Sequence, residues 1–193
     1  MSSFIEQNRD ALESDVIIIA DSSNVKIGVP TVTTTLRGLV DGIIEVDQPM
    51  RPIHSGVGGG VVPDAFMVLS KIIASFHDEK GNLMIEGLTP TDMQVTELEE
   101  SFLKKMLGSE EIHLFDTESI SKRLWLEPAL DVLAIDAPAV KDAVNLVIPK
   151  AQAKISLRLP PTEDPEHAMK MLEEHVMKNV PWNASVKFIP NSK

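Results

Sequence analysis

The sequence has no cysteine. Disulfides, thiolate metal sites and a cysteine nucleophile are therefore excluded, and the chain is compatible with a reducing cytoplasm, which is the expected location. There is also no apolar run near the roughly 20 residues that a membrane-spanning helix needs. Basic residues are scarce: 18 Lys and Arg stand against 29 Asp and Glu, a net charge of −11. That argues against a nucleic-acid backbone as partner, because binding there rests on clustered Lys and Arg. The opening stretch "MSSFIEQNRDALESD" is polar and acidic, unlike a signal or transit peptide. No internal repeat and no low-complexity tract is visible.

What is present suffices for a core, since 43% of the 193 residues are hydrophobic. "DVIIIADSS" (15–23) carries a β-branched run from Val16 to Ile19 and reads as a buried strand delivering Asp21 at its end. "GVPTVTTTLRGLVDGIIEVDQ" (28–48) reads as two extended segments, with Gly38 and Gly42 as bends or bulges. From Pro63 to His77 the apolar residues Phe66, Leu69, Ile72, Ile73 and Phe76 share one helical face. A second amphipathic helix is expected over 89–108, with Thr91 and Gln94 as a capping box and Gly108 as the stop.

Residues 109–127 are mixed in pattern, whereas 128–136 and 145–161 read as strands. Asp164 followed by Pro165 opens a helix over 164–179, and 183–190 closes as a strand. From residue 39 the order is β-α-β-β-α-β with a helical stretch inserted at about 82–127. This is the α+β, ferredoxin-like sandwich: four antiparallel strands with two helices on one face. Residues 1–37 stand outside that unit.

Four residues are candidates for chemistry. His54 stands at the mouth of "HSGVGGG"; an imidazole projected by that turn could donate to a carboxylate or a developing oxyanion, or it is an ordinary loop histidine. Asp21 ends a strand, where open α/β sheets place ligands, or it is a helix-cap or turn aspartate. Arg158 in "SLRLPP" could clamp a carboxylate, or simply face solvent. Asn145, thirteen residues earlier, is a turn residue or a polar ligand group. Glu99–Glu100 and Glu173–Glu174 fall on amphipathic helices and read as solvated faces. His167 and His175 share a helical face without a third ligand nearby, and "GVGGG" lacks the Lys-Ser/Thr of a phosphate-binding loop.

The pieces "DVIIIADSS", "GVPTVTTTLRG", "IHSGVGGGVVPDA", "DEKGNLMIEGL", "NLVIP" and "ISLRLPPTEDP", in that order, resemble one family. It is the di-zinc metallopeptidase and deacylase family of carnosinase-type dipeptidases, glutamate carboxypeptidase, acetylornithine deacetylase and succinyl-diaminopimelate desuccinylase. The resemblance is strongest to its dipeptidase branch. It implies that Asp21 ligates one of two zinc ions. It implies that His54 reaches across a homodimer to steady the oxyanion in the partner's site, and that Asn145 and Arg158 grip the substrate's carboxylate end. The homodimer is expected to form through a sheet edge and a helix of the lid.

The family's His-x-Asp motif, its Glu-Glu pair upstream of Asp21 and its later zinc-binding histidine are not in this sequence, and "LAIDAP" lacks the usual glycines. The expectation is a lid and dimerisation domain (38–193) with a remnant of the catalytic domain (1–37), inert and zinc-free alone. The competing expectation is a stand-alone ferredoxin-like module whose His54 and Arg158 hold a small carboxylate.

Overall fold

The computed structural model describes residues 2–18 and 27–191. It divides the chain into two units, Met1–Leu36 and Arg37–Lys193. The first holds two short helices, α1 (Ser2–Gln7) and α2 (Arg9–Leu12). Asn8 joins them by donating its side-chain amide to the Phe4 carbonyl at 2.8 Å. No described side chain of this unit is buried.

The buried strand expected at Val16–Ile19 is not found in the described residues. Val16, Ile17 and Ile18 are 75%, 73% and 88% exposed and belong to no strand. β-Branched residues favour extended backbone, but a strand also needs neighbours to take its N–H and C=O groups. Ile19 and Asp21 lie outside the described residues.

The second unit is the expected sandwich. Its strands are β1 (Gly38–Asp47), β2 (Ile53–His54), β3 (Ala129–Asp136), β4 (Leu146–Val147), β5 (Lys150–Leu159) and β6 (Val186–Pro190). The main sheet has the order β3-β5-β1-β6 with every pairing antiparallel, and β2 with β4 forms a separate two-stranded sheet. Its helices are α3 (Ser55–Gly58), α4 (Ala65–Ala74), α5 (Glu100–Leu107), α6 (Ile120–Trp125) and α7 (Pro165–Lys178).

Alternation makes the sheet two-faced. Val40, Ile44 and Val46 of β1 and Ala151, Ala153, Ile155, Leu157 and Leu159 of β5 point to the helices. They meet Val68, Leu69 and Ile72 of α4 and Ala168, Leu172 and Val176 of α7. Each fully buried Ile or Leu among them contributes roughly 1.5–3 kcal/mol. α4 lies over β5 and β1, and α7 over β1 and β6. As expected, Asp164 caps α7, accepting from the His167 N–H at 2.8 Å, with Pro165 in the first turn.

Three expectations need correction. β1 runs unbroken through Gly42, which is neither bend nor bulge. A Cβ there would stand 2.5 Å from the Phe188 ring, so the glycine admits that ring across the sheet. The bulge is in β3, between Val132 and Ala134. The helix expected over 89–108 forms only from Glu100, though Gly108 ends it in left-handed backbone as expected. Residues 91–98 spend their polar groups on distant partners instead. Thr91 bonds Thr162 side chain to side chain at 2.7 Å, its N–H donates to the Leu126 carbonyl, and Leu98 N–H donates to Ser121. No capping box forms at Thr91.

Candidate functional site

His54 ends β2, directly opposite Leu146 of β4. The Ser55 N–H donates to the Asn145 carbonyl at 2.9 Å, so Asn145 lies one position along the ladder from the partner of His54. Asp64 anchors this small sheet to the core. One carboxylate oxygen caps α4 through the N–H groups of Phe66 and Met67, and the other accepts from the Ile148 N–H at 3.2 Å.

The imidazole of His54 is exposed and oriented. Its Nδ1 accepts from the Gly56 N–H at 3.0 Å, capping α3. A neutral ring that accepts at Nδ1 carries its proton on Nε2. Nε2–H is thus a donor turned away from the loop. The turn depends on its glycines: Gly60 takes φ +77°, and a Cβ on Gly58 would meet Ile53 at 2.6 Å.

Arg158 is elsewhere. It lies near the far end of β5, in register with Leu39 and Ala129, on the open face of the sheet and exposed. The two-stranded sheet adjoins the Lys150 end, where Gln48 N–H bonds the Pro149 carbonyl. A ten-residue strand is roughly 30 Å long. The structure therefore brings His54 and Asn145 together and keeps Arg158 about a strand's length away. A shared His54–Arg158 pocket, as the stand-alone binding module would need, does not form within one chain.

Arg37 escaped notice in the sequence. It enters β1 and donates from Nη1 to the Leu124 carbonyl at 2.5 Å and from Nη2 to the Glu127 carbonyl at 2.8 Å. It thereby ties the end of α6 to the sheet. Burial first, then the nearby Arg158, lowers its affinity for a proton, with Asp131 acting the other way. Its only sequence signal is a charge set between Leu36 and Gly38 at a strand's start.

The weaker candidates are structural. Glu100 pairs with Lys104 at 2.8 Å and Glu174 with Lys170 at 3.7 Å, both one helical turn apart. His167 pairs with Glu163 at 2.7 Å. His175 is buried, stacked on Phe76 and bonded to Ser75. Among the described residues no group of three or more His, Cys, Asp or Glu could hold a metal ion. The described residues thus do not fit a zinc centre. Nor, among them, is any helix long and apolar enough to cross a membrane.

Residues 34–184 match the model of the M20 peptidase dimerisation domain. The chain is 35% identical over 191 residues to a cysteinylglycine-S-conjugate dipeptidase of Corynebacterium striatum, covering 97% of this chain and 42% of that protein. It is 28% identical over 172 residues to the Cys-Gly metallodipeptidase DUG1 of Saccharomyces cerevisiae, covering 83% of this chain and 36% of that protein. It shares its fold with human carnosine dipeptidase 1 (TM-score 0.77, 23% identity, 99% of this chain and 44% of that one). It likewise shares it with an M20 metallo-carboxypeptidase of Sulfolobus solfataricus (TM-score 0.73, 24% identity, 99% of this chain and 53% of that one). The chain spans about two-fifths of the length of the two dipeptidases it matches in sequence. It belongs to the M20 peptidase dimerisation-domain family.

Proposed function

We propose that this domain joins a second copy of itself along β3, as part of a zinc-dependent peptidase of the dipeptidase type, and that the joining builds the substrate site. The observation that carries this is the state of the β3 edge. β3 has eight residues, and Val132, Leu133 and Ile135 on it are 37%, 57% and 52% exposed. α4, the helix nearer that edge, covers β5 and β1 and leaves Met67 exposed. A long, apolar, unpaired edge is a template for another strand. Two-fold pairing of the same edge on two copies satisfies it symmetrically.

The pairing also explains why the candidate residues stand apart. About a two-fold axis, β3 runs antiparallel to its copy, so the Asp136 end of one strand meets the Ala129 end of the other. Asp136 is in register with Gln152, at the end where His54 and Asn145 lie, and Ala129 with Arg158. Each end of the joined sheet then presents His54 and Asn145 from one copy and Arg158 from the other.

In that site the Nε2–H of His54 donates to the oxyanion that forms when a peptide carbonyl is attacked, and the Arg158 guanidinium holds the substrate's terminal carboxylate. Asn145 contributes a side-chain hydrogen bond to the same substrate. Short peptides are the substrate class suggested by the names of the dipeptidase relatives. The zinc ions belong to ligands beyond the described residues, with Asp21 the one this chain would add, and no step is derived through them.

Complementation tests the composite site. In the complete peptidase, His54→Ala and Arg158→Ala each lower kcat/KM by about 10²–10³. Mixed dimers of the two variants recover about half of the wild-type turnover per dimer, because one of their two sites is intact. A chain carrying both substitutions, mixed with wild type, gains nothing beyond its wild-type dimers. Failure of the two single variants to complement would contradict the shared site.

A further inference from the structure

A cleft opens between the 82–127 insertion and the start of β3. Its volume is about 320 Å3. The body of the cleft is apolar, formed by Leu83, Leu88, Phe115 and Leu130. Its polar lining comes from His77, Asn82, Arg123, Glu127 and Asp131.

The two charges that matter stand on different elements. Arg123 belongs to α6 of the insertion, and Asp131 to β3. They form no ion pair with each other, although both act electrostatically on His77. The guanidinium is built in. Nη2 donates to the Gly81 carbonyl at 2.5 Å, Nη1 approaches Asn82 at 3.4 Å, and the group lies 4.9 Å from the centre of the Phe115 ring. Phe115 in turn rests on Gly81, where φ is +77° and a Cβ would come within 2.5 Å of the ring. Two of Arg123's five N–H donors are engaged, which leaves a fixed cation with donors to spare. Among the described residues the exposed Asp131 makes no hydrogen bond or ion pair, though it also acts electrostatically on Arg37. A fixed cation and an anion with no hydrogen-bonded partner, on the walls of one apolar cleft, complement a ligand carrying both charges on an apolar body.

We infer that this cleft binds a free amino acid with an apolar side chain, its carboxylate on Arg123 and its ammonium on Asp131. The volume is at the lower end of what small-molecule sites enclose, which suits one residue rather than a longer peptide. Burial lowers the pKa of His77 from 6.5, so this lining imidazole favours its neutral form and leaves the ammonium to Asp131. The site shares the Ala129 end of β3 with Arg158 but is built on Arg123 and Asp131, and its test separates the two.

The chain labelled with 15N is titrated with L-leucine while its amide resonances are followed. Saturable shifts at Gly81, Asn82, Phe115, Arg123 and Asp131 are expected, with a Kd of about 1–10 mM. N-acetyl-L-leucine, which lacks the ammonium, and L-leucinamide, which lacks the carboxylate, bind about tenfold more weakly. Asp131→Asn has the same effect on leucine while its spectrum stays dispersed, and Arg158→Ala leaves leucine binding unchanged. Equal binding of leucine and its two capped forms would overturn the inference without any variant. So would shifts that cluster at Arg158 or vanish in Arg158→Ala, or the absence of any saturable shift.

Discussion

The two edges of the main sheet are treated in opposite ways. β6 is short, five residues against eight in β3, and it lies beneath α7. It ends at Pro190, which has no N–H to offer, and Asn191 then ties it to β1 through the Asp41 carbonyl and carboxylate. Phe188 is drawn inward over Gly42. β3 has none of these devices. From Asp131 to Asp136 every side chain is exposed, on both faces, and four of them (Val132, Leu133, Ala134 and Ile135) are apolar. One edge is finished within the chain, and the other is the one along which we propose that a second copy pairs. An edge left open in an otherwise closed sheet marks where assembly occurs.

The largest effect expected is on that difference itself. Leu133→Lys puts a desolvated charge at the centre of the β3 pairing and raises the dimer dissociation constant by about 100-fold or more, some 2.7 kcal/mol. Ile189→Lys, the equivalent change on β6, leaves association within about twofold. Sedimentation equilibrium on both variants reads this directly. Next comes Gly42→Ala, whose methyl would collide with Phe188. Displacing that ring costs about 1–3 kcal/mol in urea unfolding and loosens β6, while dimerisation persists.

Arg37→Ala comes third, because Arg37 pins the end of α6 immediately before β3 begins. Losing two charge-assisted hydrogen bonds to Leu124 and Glu127 costs about 1–2 kcal/mol, and the fluorescence of the neighbouring Trp125 reports the undocking. Arg37→Lys, which keeps charge but not the fork, recovers only part of it.

The smallest effect is on pH dependence, and it falls on the finished side. His175 lies in α7, where burial lowers its pKa from 6.5; hydrogen bonding to Ser75 opposes that shift. A base whose pKa is depressed by folding binds more protons when unfolded. Its contribution is complete above pH 6.5 and is lost as pH falls through 6.5 toward the depressed value. Urea midpoints of the wild type therefore fall on acidification through that window, and His175→Gln flattens the dependence.

The central strands were legible in the sequence because their alternation has one cause, burial on one face. The alternation within β1 and β5 was visible for that reason, though not the unbroken run of β1 or the break between β4 and β5, and α7 was announced by Asp164 and Pro165. The failures have different causes. Val16–Ile18 carries strand chemistry, yet no described residue of its unit supplies a strand to pair with. Thr91 looked like a cap because its real partner, Thr162, is 71 positions away. Gly42 looked like a bulge because nothing in the chain around it announces a ring from β6. His54 and Asn145 were found as candidates from the sequence, but their separation from Arg158 was not, since it follows from the length and direction of β5. Arg123 stood in the stretch with no readable period, and its setting depends on Gly81 and Phe115, remote in sequence.

Hydrogen exchange, strand by strand and at two protein concentrations, tests the assembly most directly. At concentrations well above the dimer dissociation constant, amides of β3 are expected to be protected, and to lose that protection on dilution below it, while β6 amides exchange alike at both. Concentration-dependent protection at β6, or none at β3 in a chain that sediments as a dimer, would contradict the account.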